Sequence, residues 1–588
     1  MTPPRIERRR DLLLTAFRIT AIALAAVNVA AAIVAESMSE DGINYLDQGD
    51  AWMRGDWDVA INGTWSPLYS VILGLVLRIV RPPMHWEFAV AHVVNFGIFL
   101  LALACFEFLW RQATDRYDAA VTAESSRADR LPRWAFQGAG YGLFIWATVT
   151  QIRLFAVTPD MLVAAVVFLA GGLMLRLPAT SDGRRTMIAL GAALGAGYLG
   201  KAVLFPLAIA AFAIVALWLR RASRPLRLLL PGLAAFALVA APFLIALSLE
   251  TGRPTFGEVG RVTYLKHVLH APFPHYESGS PHIAGAPLHP IARSETSPPV
   301  HTFAGPPGVT YPLAYDQGHW YAGLRPRFRP ALQLQAIALN LQRYFELFVR
   351  GQGLMLGAIL VVLLTRRLQR PFAASGWLPG VFGLSALGLY SLVYAEGRYL
   401  APFVVLIWTA LLLSVRLRQS EGQSGWLAAS GAVVILSLFA NIAVFHLDGF
   451  NALVRIAPVA SAGPVSRTSG VSARPSDVAG ALRYAGLTPG APIGVIGEAV
   501  AASWARLARL RIVADVAPGR VQDFWAAPPD EQHAVLAAFA RAGATAVVAE
   551  PPATGEAPPG WTPLGDTGYL ARVTDGGARS RGVRAPTP

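Results

Sequence analysis

The stretch "TAFRITAIALAAVNVAAAIVAESMSEDGINYLDQGDAWMRGDW", residues 15–57, joins a long apolar segment directly to a cluster of carboxylates. Residues 15–35 are apolar over the ~20 residues that a helix needs to cross a bilayer. The acidic cluster begins where this helix would leave the hydrocarbon core. Its members are Glu40, Asp41, Asp47, Asp50, Asp56 and Asp58. Charged side chains are costly at membrane depth unless they have a partner, so the stretch predicts a membrane protein with a functional surface beside its first helix.

The composition is typical of a polytopic membrane protein. Of 588 residues, 54% are hydrophobic and 15% are charged, whereas soluble domains carry about 25% charged residues. The formal net charge of +14 comes from arginine, since Lys201 and Lys266 are the chain's only lysines. The arginines lie in short clusters between apolar runs, so they indicate membrane topology and not a nucleic-acid partner. The single cysteine, Cys105, excludes a disulfide framework and a cysteine-ligated metal site.

The apolar runs predict eleven transmembrane helices. These cover residues 12–35, 88–110, 134–152, 160–176, 186–200, 202–219, 228–249, 353–365, 375–394, 399–415 and 426–446. A shorter run at 66–80 starts next to a proline and contains an arginine, so it is interpreted as an amphipathic helix in the membrane interface. The arginine clusters then alternate sides, which places the N-terminus in the cytoplasm and the C-terminus outside.

Two loops and the tail are extracytoplasmic in this topology. Loop 36–87 holds the acidic cluster, and loop 250–335 is rich in proline, glycine, histidine and aromatic residues. Within residues 465–588, helical and strand-like segments alternate, which predicts a small α/β domain. The predicted fold is therefore a mainly α-helical membrane module, residues 1–446, followed by a soluble extracytoplasmic α/β domain.

Seven polar side chains fall at the extracytoplasmic mouth of the predicted helices, where they are functional candidates. They are Asp41, Arg153, Asp160, Lys201, Glu396, Arg398 and Tyr399. In a helix, Asp41 shares one face with Tyr45, four residues later. The other acids of this loop are interpreted as ordinary solvated charges: Asp50, Asp56 and Asp58.

Each candidate also has a purely structural alternative. Asp41 can cap the next helix, and Asp160 can be favoured by the dipole of the helix that it opens. Lys201 can extend to lipid headgroups, and Glu396 can merely pair with Arg398. The functional alternatives are a base or metal ligand for the acids and a phosphate partner for the cations, for which the arginine fork is well suited.

Five short motifs follow one another on the predicted extracytoplasmic side. They are "SEDGINYL" (39–46), "WSPLYSVILGLVLRI" (65–79), "VTPDML" (157–162), "YLGKAVLFPL" (198–207) and "EGRYLAPF" (396–403). Their order and common side resemble the GT-C glycosyltransferases, polytopic enzymes that take a sugar from a polyprenyl-phosphate carrier. Protein mannosyltransferases and aminoarabinose transferases belong to this family. The resemblance covers roughly residues 10–415 and does not include the tail.

The resemblance implies inverting transfer of a sugar from a polyprenyl-phosphate donor to a glycan, lipid or protein acceptor, at the outer face of a bacterial inner membrane. It implies Asp41 as the base, with Glu40 and Asp160 as further catalytic candidates. The implied binders of the donor phosphate are Lys201, Arg398 and Arg153. Further site candidates are Tyr45, Glu396 and Tyr399. A divalent metal ion, if one is used, would bind Asp41 and Asp160.

Two other classes of function remain as alternatives. A transporter of lipid-linked sugar would place polar residues at mid-membrane and show internal repeats, and no clear repeat is present. A non-catalytic scaffold that displays the tail would not require Asp41, Lys201 and Arg398 together at one mouth. The sequence therefore favours an enzyme over both alternatives.

Overall fold

The computed structural model describes residues 3–123, 128–129, 133–179, 183–271, 284–350, 376–414, 417–418 and 473–574. Up to residue 414 the described chain is mainly helical. Its helices are α1 (Pro3–Val34), α2 (Glu40–Arg54), α3 (Pro67–Val80), α4 (Glu87–Ala123), α5 (Arg133–Ile145), α6 (Asp160–Arg176), α7 (Arg184–Gly200), α8 (Leu204–Arg221), α9 (Leu230–Glu250), α10 (Val259–His267), α11 (Pro330–Phe345), α12 (Trp377–Ser391) and α13 (Gly397–Ser414). The main helix pairs are α4 with α6, α7 with α9, and α12 with α13.

Five of the described helices are long and apolar enough to cross a membrane, which makes the chain a multi-pass membrane protein. The candidate spans are Leu12–Val34, Met84–Asp118, Leu204–Arg221, Leu226–Glu250 and Gly397–Ser414. These helices expose large apolar side chains, as a lipid environment favours; Leu238 and Leu249 are 78% and 77% exposed. The predicted spans 353–365 and 426–446 lie outside the described residues.

Helix α2 carries the acidic stretch, and its sequence fixes both of its ends. The Ser39 hydroxyl accepts a hydrogen bond from the Gly42 amide at the N-terminus, which satisfies a backbone donor that the helix leaves free. Gly55 closes the C-terminus in the left-handed conformation, with φ +72. In the middle, Gly49 lies so close to α3 that a Cβ there would be 2.7 Å from the Ser70 carbonyl oxygen. Helices α2 and α3 therefore pack backbone to backbone.

The C-terminal part of the chain forms a seven-stranded sheet with helices on it. Its helices are α14 (Pro475–Tyr484), α15 (Ser503–Ala508), α16 (Val521–Ala526) and α17 (Pro529–Arg541). The strands are β1 (Ala292–Arg293), β2 (His301–Thr302), β3 (Pro492–Ile496), β4 (Arg511–Val516), β5 (Ala546–Ala549), β6 (Thr562–Pro563) and β7 (Leu570–Val573). The order is β1-β2-β4-β3-β5-β7-β6, and the central strands β4, β3 and β5 are parallel.

The sheet takes two of its strands from the long loop between α9 and α11. Strand β2 pairs antiparallel with β4, with His301 opposite Asp515 and Thr302 opposite Ala514. One face of the sheet is covered by α16 and α17 through a separate apolar cluster that includes Phe524. The other face belongs to an apolar core that is continuous with the membrane module. The C-terminal part is thus packed against the helices of the membrane module.

Candidate active site

Asp41 lies in the first turn of α2, at the edge of a cavity. Its side chain is 39% exposed, and its Oδ2 is 3.4 Å from Nη1 of Arg398. Ser39 already caps the start of this helix with its own hydroxyl. Asp41 is therefore not needed as the cap, and its carboxylate remains available to the cavity.

Asp160 opens helix α6 and is almost fully buried, with 2% of its side chain exposed. Its Oδ1 is 2.5 Å from Nζ of Lys201, and its Oδ2 accepts a hydrogen bond from Thr158 at 3.1 Å. Arg398 Nη1 lies 3.5 Å from the same Oδ2. These contacts hold Lys201 and Arg398 on either side of the Asp160 carboxylate.

Arg398, near the start of α13, joins these groups into one network. Besides the two aspartates, its Nε is 3.0 Å from Oε1 of Glu396, and its Nη2 donates to the Tyr399 hydroxyl at 3.0 Å. The Tyr399 ring also stacks against Lys201, whose Nζ is 3.5 Å from the ring centroid. Four separate segments, the starts of α2, α6 and α13 and the end of α7, thus bring two acids and two cations together.

These groups line a cavity of about 540 Å³. Much of its wall is aromatic, with Trp65, Tyr390 and Tyr394 among the lining residues. A volume of this size suits a sugar-sized ligand. Aromatic walls and clustered charges together favour a molecule with a polyhydroxylated or anionic part.

Lys266 also lines this cavity and was not among the sequence-predicted site residues. Its Nζ donates to Oε1 of Gln317 at 2.9 Å. Burial lowers the pKa of Lys266 to about 8, and the charge of Asp41 partly opposes that shift. The neighbouring His267 stacks on Tyr394 at 4.0 Å, and burial lowers the pKa of this imidazole to about 4. The chain's only two lysines therefore line the same cavity. The rarity of lysine in the sequence is the signal that could have added Lys266 to the predicted site.

Comparisons with solved structures identify this architecture. The chain is similar to the crystal structure of ArnT from Cupriavidus metallidurans bound to undecaprenyl phosphate. The TM-score is 0.52 at 12% identity, over 97% of this chain and 100% of that chain. The chain has the GT-C fold. The apo state of the same ArnT aligns with a TM-score of 0.45, 12% identity and coverage of 90% and 92%.

An oligosaccharyltransferase from Archaeoglobus fulgidus, tethered to an acceptor peptide, aligns with a TM-score of 0.37 and 13% identity, over 90% of this chain and 69% of that chain. No family model and no curated protein sequence matches the chain. At 12% identity, the likeness to ArnT bound to undecaprenyl phosphate shows the fold alone, so the chemistry is argued from the residues themselves.

Not every residue that the sequence predicted for the site lines this cavity. Tyr45 lines it and is 6% exposed, packed edge-on against Trp65. Glu40 is exposed and lies outside the lining residues. Arg153 is also exposed outside the lining, with its guanidinium 6.0 Å from the Phe155 ring. The geometry thus separates the predicted group of cations, because Lys201 and Arg398 face the cavity and Arg153 does not.

The interpretation of Asp50 as a solvated loop charge is wrong. Asp47 and Asp50 both contact Arg506, which lies in the C-terminal part of the chain. The Arg506 side chain is 2% exposed. Arg506 lies 2.7 Å from Asp47, 2.8 Å from Asp50 and 2.8 Å from Glu87. Arg509 adds contacts of 2.6 Å to both Asp50 and Glu87. We call these five residues the α2 clamp.

The two aspartates of the α2 clamp respond differently to burial. Burial raises the pKa of Asp47 more than Arg506 and Thr310 lower it. Burial alone would raise the pKa of Asp50, but the Arg506 and Arg509 guanidinium groups outweigh it and hold that pKa below its usual range. Asp47 receives two further hydrogen bonds from the backbone and hydroxyl of Thr310. The prediction of solvated charge remains valid for Asp58, which is exposed.

Proposed function

We propose that the protein is a glycosyltransferase that moves a sugar from a polyprenyl-phosphate donor to a hydroxyl of a glycan, lipid or protein acceptor on the extracytoplasmic side of the membrane. The observation that carries this proposal is the meeting of Asp41, Asp160, Lys201 and Arg398 in one cavity of about 540 Å³. Binding of undecaprenyl phosphate by ArnT, the similar structure, supports a lipid-linked donor.

The cations of the cavity suit the phosphate of such a donor. Arg398 presents a planar fork that matches phosphate oxygens, and Lys201 adds a compact charge from a second helix. Lys266 supplies a third positive group from α10 on the cavity wall. When the bond between sugar and phosphate breaks, negative charge grows on the leaving oxygen. Positioned cations stabilise that developing charge more than they stabilise the bound donor.

Asp41 is the group that we assign to the acceptor. The acceptor hydroxyl attacks the anomeric carbon, its proton passes to the Asp41 carboxylate, and the polyprenyl phosphate leaves with the electron pair of the broken bond. A base must be open to the acceptor, and Asp41 is 39% exposed, whereas Asp160 is 2% exposed. Attack from the side opposite the phosphate gives inversion at the anomeric carbon.

Asp160 and Glu396 have a positioning role in this proposal. Asp160 contacts both Lys201 and Arg398, so it sets the distance between the two cations. Glu396 contacts the Nε side of the Arg398 guanidinium and leaves the other side of the fork directed to the cavity. Tyr399 supports both cations through its ring and hydroxyl.

A divalent metal ion does not fit the acids as they are arranged. Three of the four carboxylate oxygens of Asp41 and Asp160 contact Lys201, Arg398 or Thr158. The described residues hold no group of three or more histidine, cysteine or acidic side chains placed to bind a metal. A metal ion would have to displace cations that already neutralise these acids, so the chemistry is assigned to the side chains.

The proposal also assigns the protein to the inner membrane of a bacterial cell, with the N-terminus in the cytoplasm and the C-terminal domain outside. The arginine clusters of the sequence support this orientation. The cavity then opens toward the compartment in which a flipped lipid-linked donor is available.

The decisive test replaces Asp41 with asparagine in the full-length purified protein. We expect Asp41→Asn to lower the rate of sugar transfer from a polyprenyl-phosphate sugar about 10²- to 10⁴-fold, the usual effect of losing a general base. The matched control is Asp58→Asn in the same loop, because Asp58 is exposed and outside the cavity. Radiolabelled sugar that moves from donor lipid to acceptor is the measurement.

Equal transfer by Asp41→Asn and the wild type would eliminate the proposed base. If the wild-type protein neither transfers nor hydrolyses sugar from such a donor, but moves the donor lipid between the leaflets of a vesicle, the transporter alternative is established.

A further inference from the structure

A second cavity lies at the junction between the membrane module and the C-terminal sheet. Its volume is about 410 Å³. The walls come from the C-terminal half of α2, the loop 307–310, Gly490 and the segment from α15 into β4. None of its lining residues belongs to the first cavity. It is therefore a separate site and not an extension of the one described above.

The charged lining of this cavity is mostly arginine. Its cations are Arg54, Arg506, Arg509 and Arg511, and its acids are Asp47 and Asp50. Within the lining, four positive and two negative charges leave an excess of two. Two acids outside the lining balance it: Glu87, which contacts Arg506 and Arg509, and Asp56, which lies 4.0 Å from Arg54. The Arg506 guanidinium is the main cause that lowers the pKa of Arg509, which reflects crowding of like charges. An anion in the cavity would relieve this repulsion.

Two of the four arginines keep donors for a ligand. Nε of Arg511 is buried and has no hydrogen-bond acceptor among the described residues, while its Nη1 reaches the Gly305 carbonyl at 3.4 Å. A buried N–H donor without an acceptor is costly, so a ligand oxygen that accepts from Nε of Arg511 would be favourable. Arg54 is half-exposed, and its only carboxylate contact in the described chain is Asp56, at the long distance of 4.0 Å.

The backbone leaves room for Arg54 to reach the cavity. Gly308 has φ +81, and a Cβ at this position would be 2.7 Å from Nη2 of Arg54. Glycine adopts this positive φ without strain, and it has no Cβ that would occupy the space of the Arg54 guanidinium. The loop 307–310 thus makes space for the guanidinium beside the cavity.

We propose that this second cavity binds a phosphomonoester through Arg54 and Arg511, with Arg509 at its side. Guanidinium groups that approach from different segments suit a tetrahedral anion, which has several oxygens to accept hydrogen bonds, better than a planar carboxylate. The phosphate belongs to a phosphorylated saccharide or to a lipid headgroup. Arg54 lies on the same helix as Asp41, thirteen residues later or roughly 20 Å at 1.5 Å per residue.

The test measures binding directly and does not depend on transfer activity. Full-length protein in detergent is titrated with inorganic phosphate at constant ionic strength, and its melting temperature is recorded. We expect a saturable rise for the wild type, because a ligand that binds only the folded state stabilises it. Arg54→Gln and Arg511→Gln should each bind phosphate about tenfold more weakly or worse, since each removes a charge-assisted hydrogen bond.

Two controls separate this site from general effects and from the first cavity. Arg520→Gln removes an exposed arginine that pairs with Asp523, so its phosphate response should equal that of the wild type. Arg398→Gln removes a phosphate-binding cation of the first cavity and should keep the part of the response that depends on Arg54 and Arg511, so failure of the transferase proposal would be visible separately. Absence of a saturable rise in the wild type, or equal affinity in Arg54→Gln and Arg511→Gln, would overturn the proposed site.

Further arms identify the source of the phosphate. Glucose 1-phosphate and micelles doped with phosphatidic acid are titrated in the same way against the wild type and Arg54→Gln. A response to glucose 1-phosphate that Arg54→Gln weakens supports a phosphorylated saccharide. A response to phosphatidic acid alone, equally dependent on Arg54, supports a lipid headgroup.

Discussion

Helix α2 carries two aspartates, Asp41 in its first turn and Asp47 near its middle, that differ in exposure and in contacts. We call the first turn the open end and the C-terminal half, from Asp47 onward, the buried end. Asp41 at the N-terminal end is 39% exposed and touches one arginine at 3.4 Å. Asp47, less than two turns later, is 1% exposed and contacts Arg506 at 2.7 Å together with Thr310. One carboxylate remains open to a cavity, and the other is completely enclosed.

The difference comes from where the partners originate. Asp41 faces cations of the membrane module itself, whereas Asp47 faces an arginine that follows it by 459 residues in the chain. The α2 clamp attaches the C-terminal domain to the helix that carries Asp41. The buried end can therefore hold the helix in place while the open end is left free for chemistry.

The largest effect that we expect comes from the buried end. Arg506→Gln leaves Asp47, Asp50 and Glu87 enclosed with one guanidinium, and loss of a partner from a buried ion cluster costs about 3–5 kcal/mol. Thermal unfolding of the full-length protein in detergent measures this loss. Arg520→Gln, on the surface of the same domain, is the control. Equal melting temperatures for the two variants would show that the clamp contributes nothing to docking.

A smaller effect is expected from the open end. Arg398→Gln removes a charge-assisted contact to the donor phosphate, worth about 1.5–3 kcal/mol, so transfer efficiency should fall about tenfold to hundredfold. Arg153→Gln should leave it nearly unchanged, because Arg153 lies outside the cavity lining. Rates at several donor concentrations distinguish them, and a larger loss in Arg153→Gln would contradict the assignment of the cations.

Gly49 lies within the buried end, between Asp47 and Asp50, where α2 packs against α3. Gly49→Ala places a methyl group against the Ser70 carbonyl of α3, and overpacking of this kind costs about 1–3 kcal/mol. If the position of Asp41 depends on how α2 docks, transfer should fall with stability. Gly97→Ala is the matched control, since a Cβ there meets nothing within 4 Å. Loss of stability with full activity would show that the ends act independently.

The smallest effect concerns pH at the open end. Burial lowers the pKa of Lys266 to about 8, so in the free enzyme this amine is charged below pH 8 and loses its proton above it. The ratio kcat/KM for the donor should therefore decline as pH rises through about 8. Lys266→Arg should remove the decline, because arginine stays charged at that pH. The same decline in Lys266→Arg would assign it to another group.

The parts of this picture that the sequence predicted depend on local patterns. Apolar runs indicated the helices. The alternation of helical and strand-like segments within residues 465–588 indicated the central strands β3, β4 and β5. The cluster of Asp41, Asp160, Lys201 and Arg398 followed from placing polar residues on one side of the predicted membrane, a rule that needs no contact information.

The remaining features depend on contacts between distant residues. No local pattern connects Asp50 with Arg506, so the sequence predicts a solvated loop charge at Asp50. Strands β1 and β2 have two residues each and lie in a loop without periodicity, so only their pairing with β4 reveals them. Lys266 lies in the same loop. The one sequence signal for a role of Lys266 is that lysine is rare in a chain whose other Lys and Arg positions are all arginine.

That rarity makes the first cavity chemically addressable. Lys201 and Lys266 are the only side-chain amines among 588 residues, and both line it. Reductive methylation with ¹³C-formaldehyde would therefore give two side-chain resonances, both of which report on this cavity, beside the signal of the chain's N-terminus. Donor, acceptor and inhibitor binding can be followed by NMR in this large membrane protein without engineering a single probe.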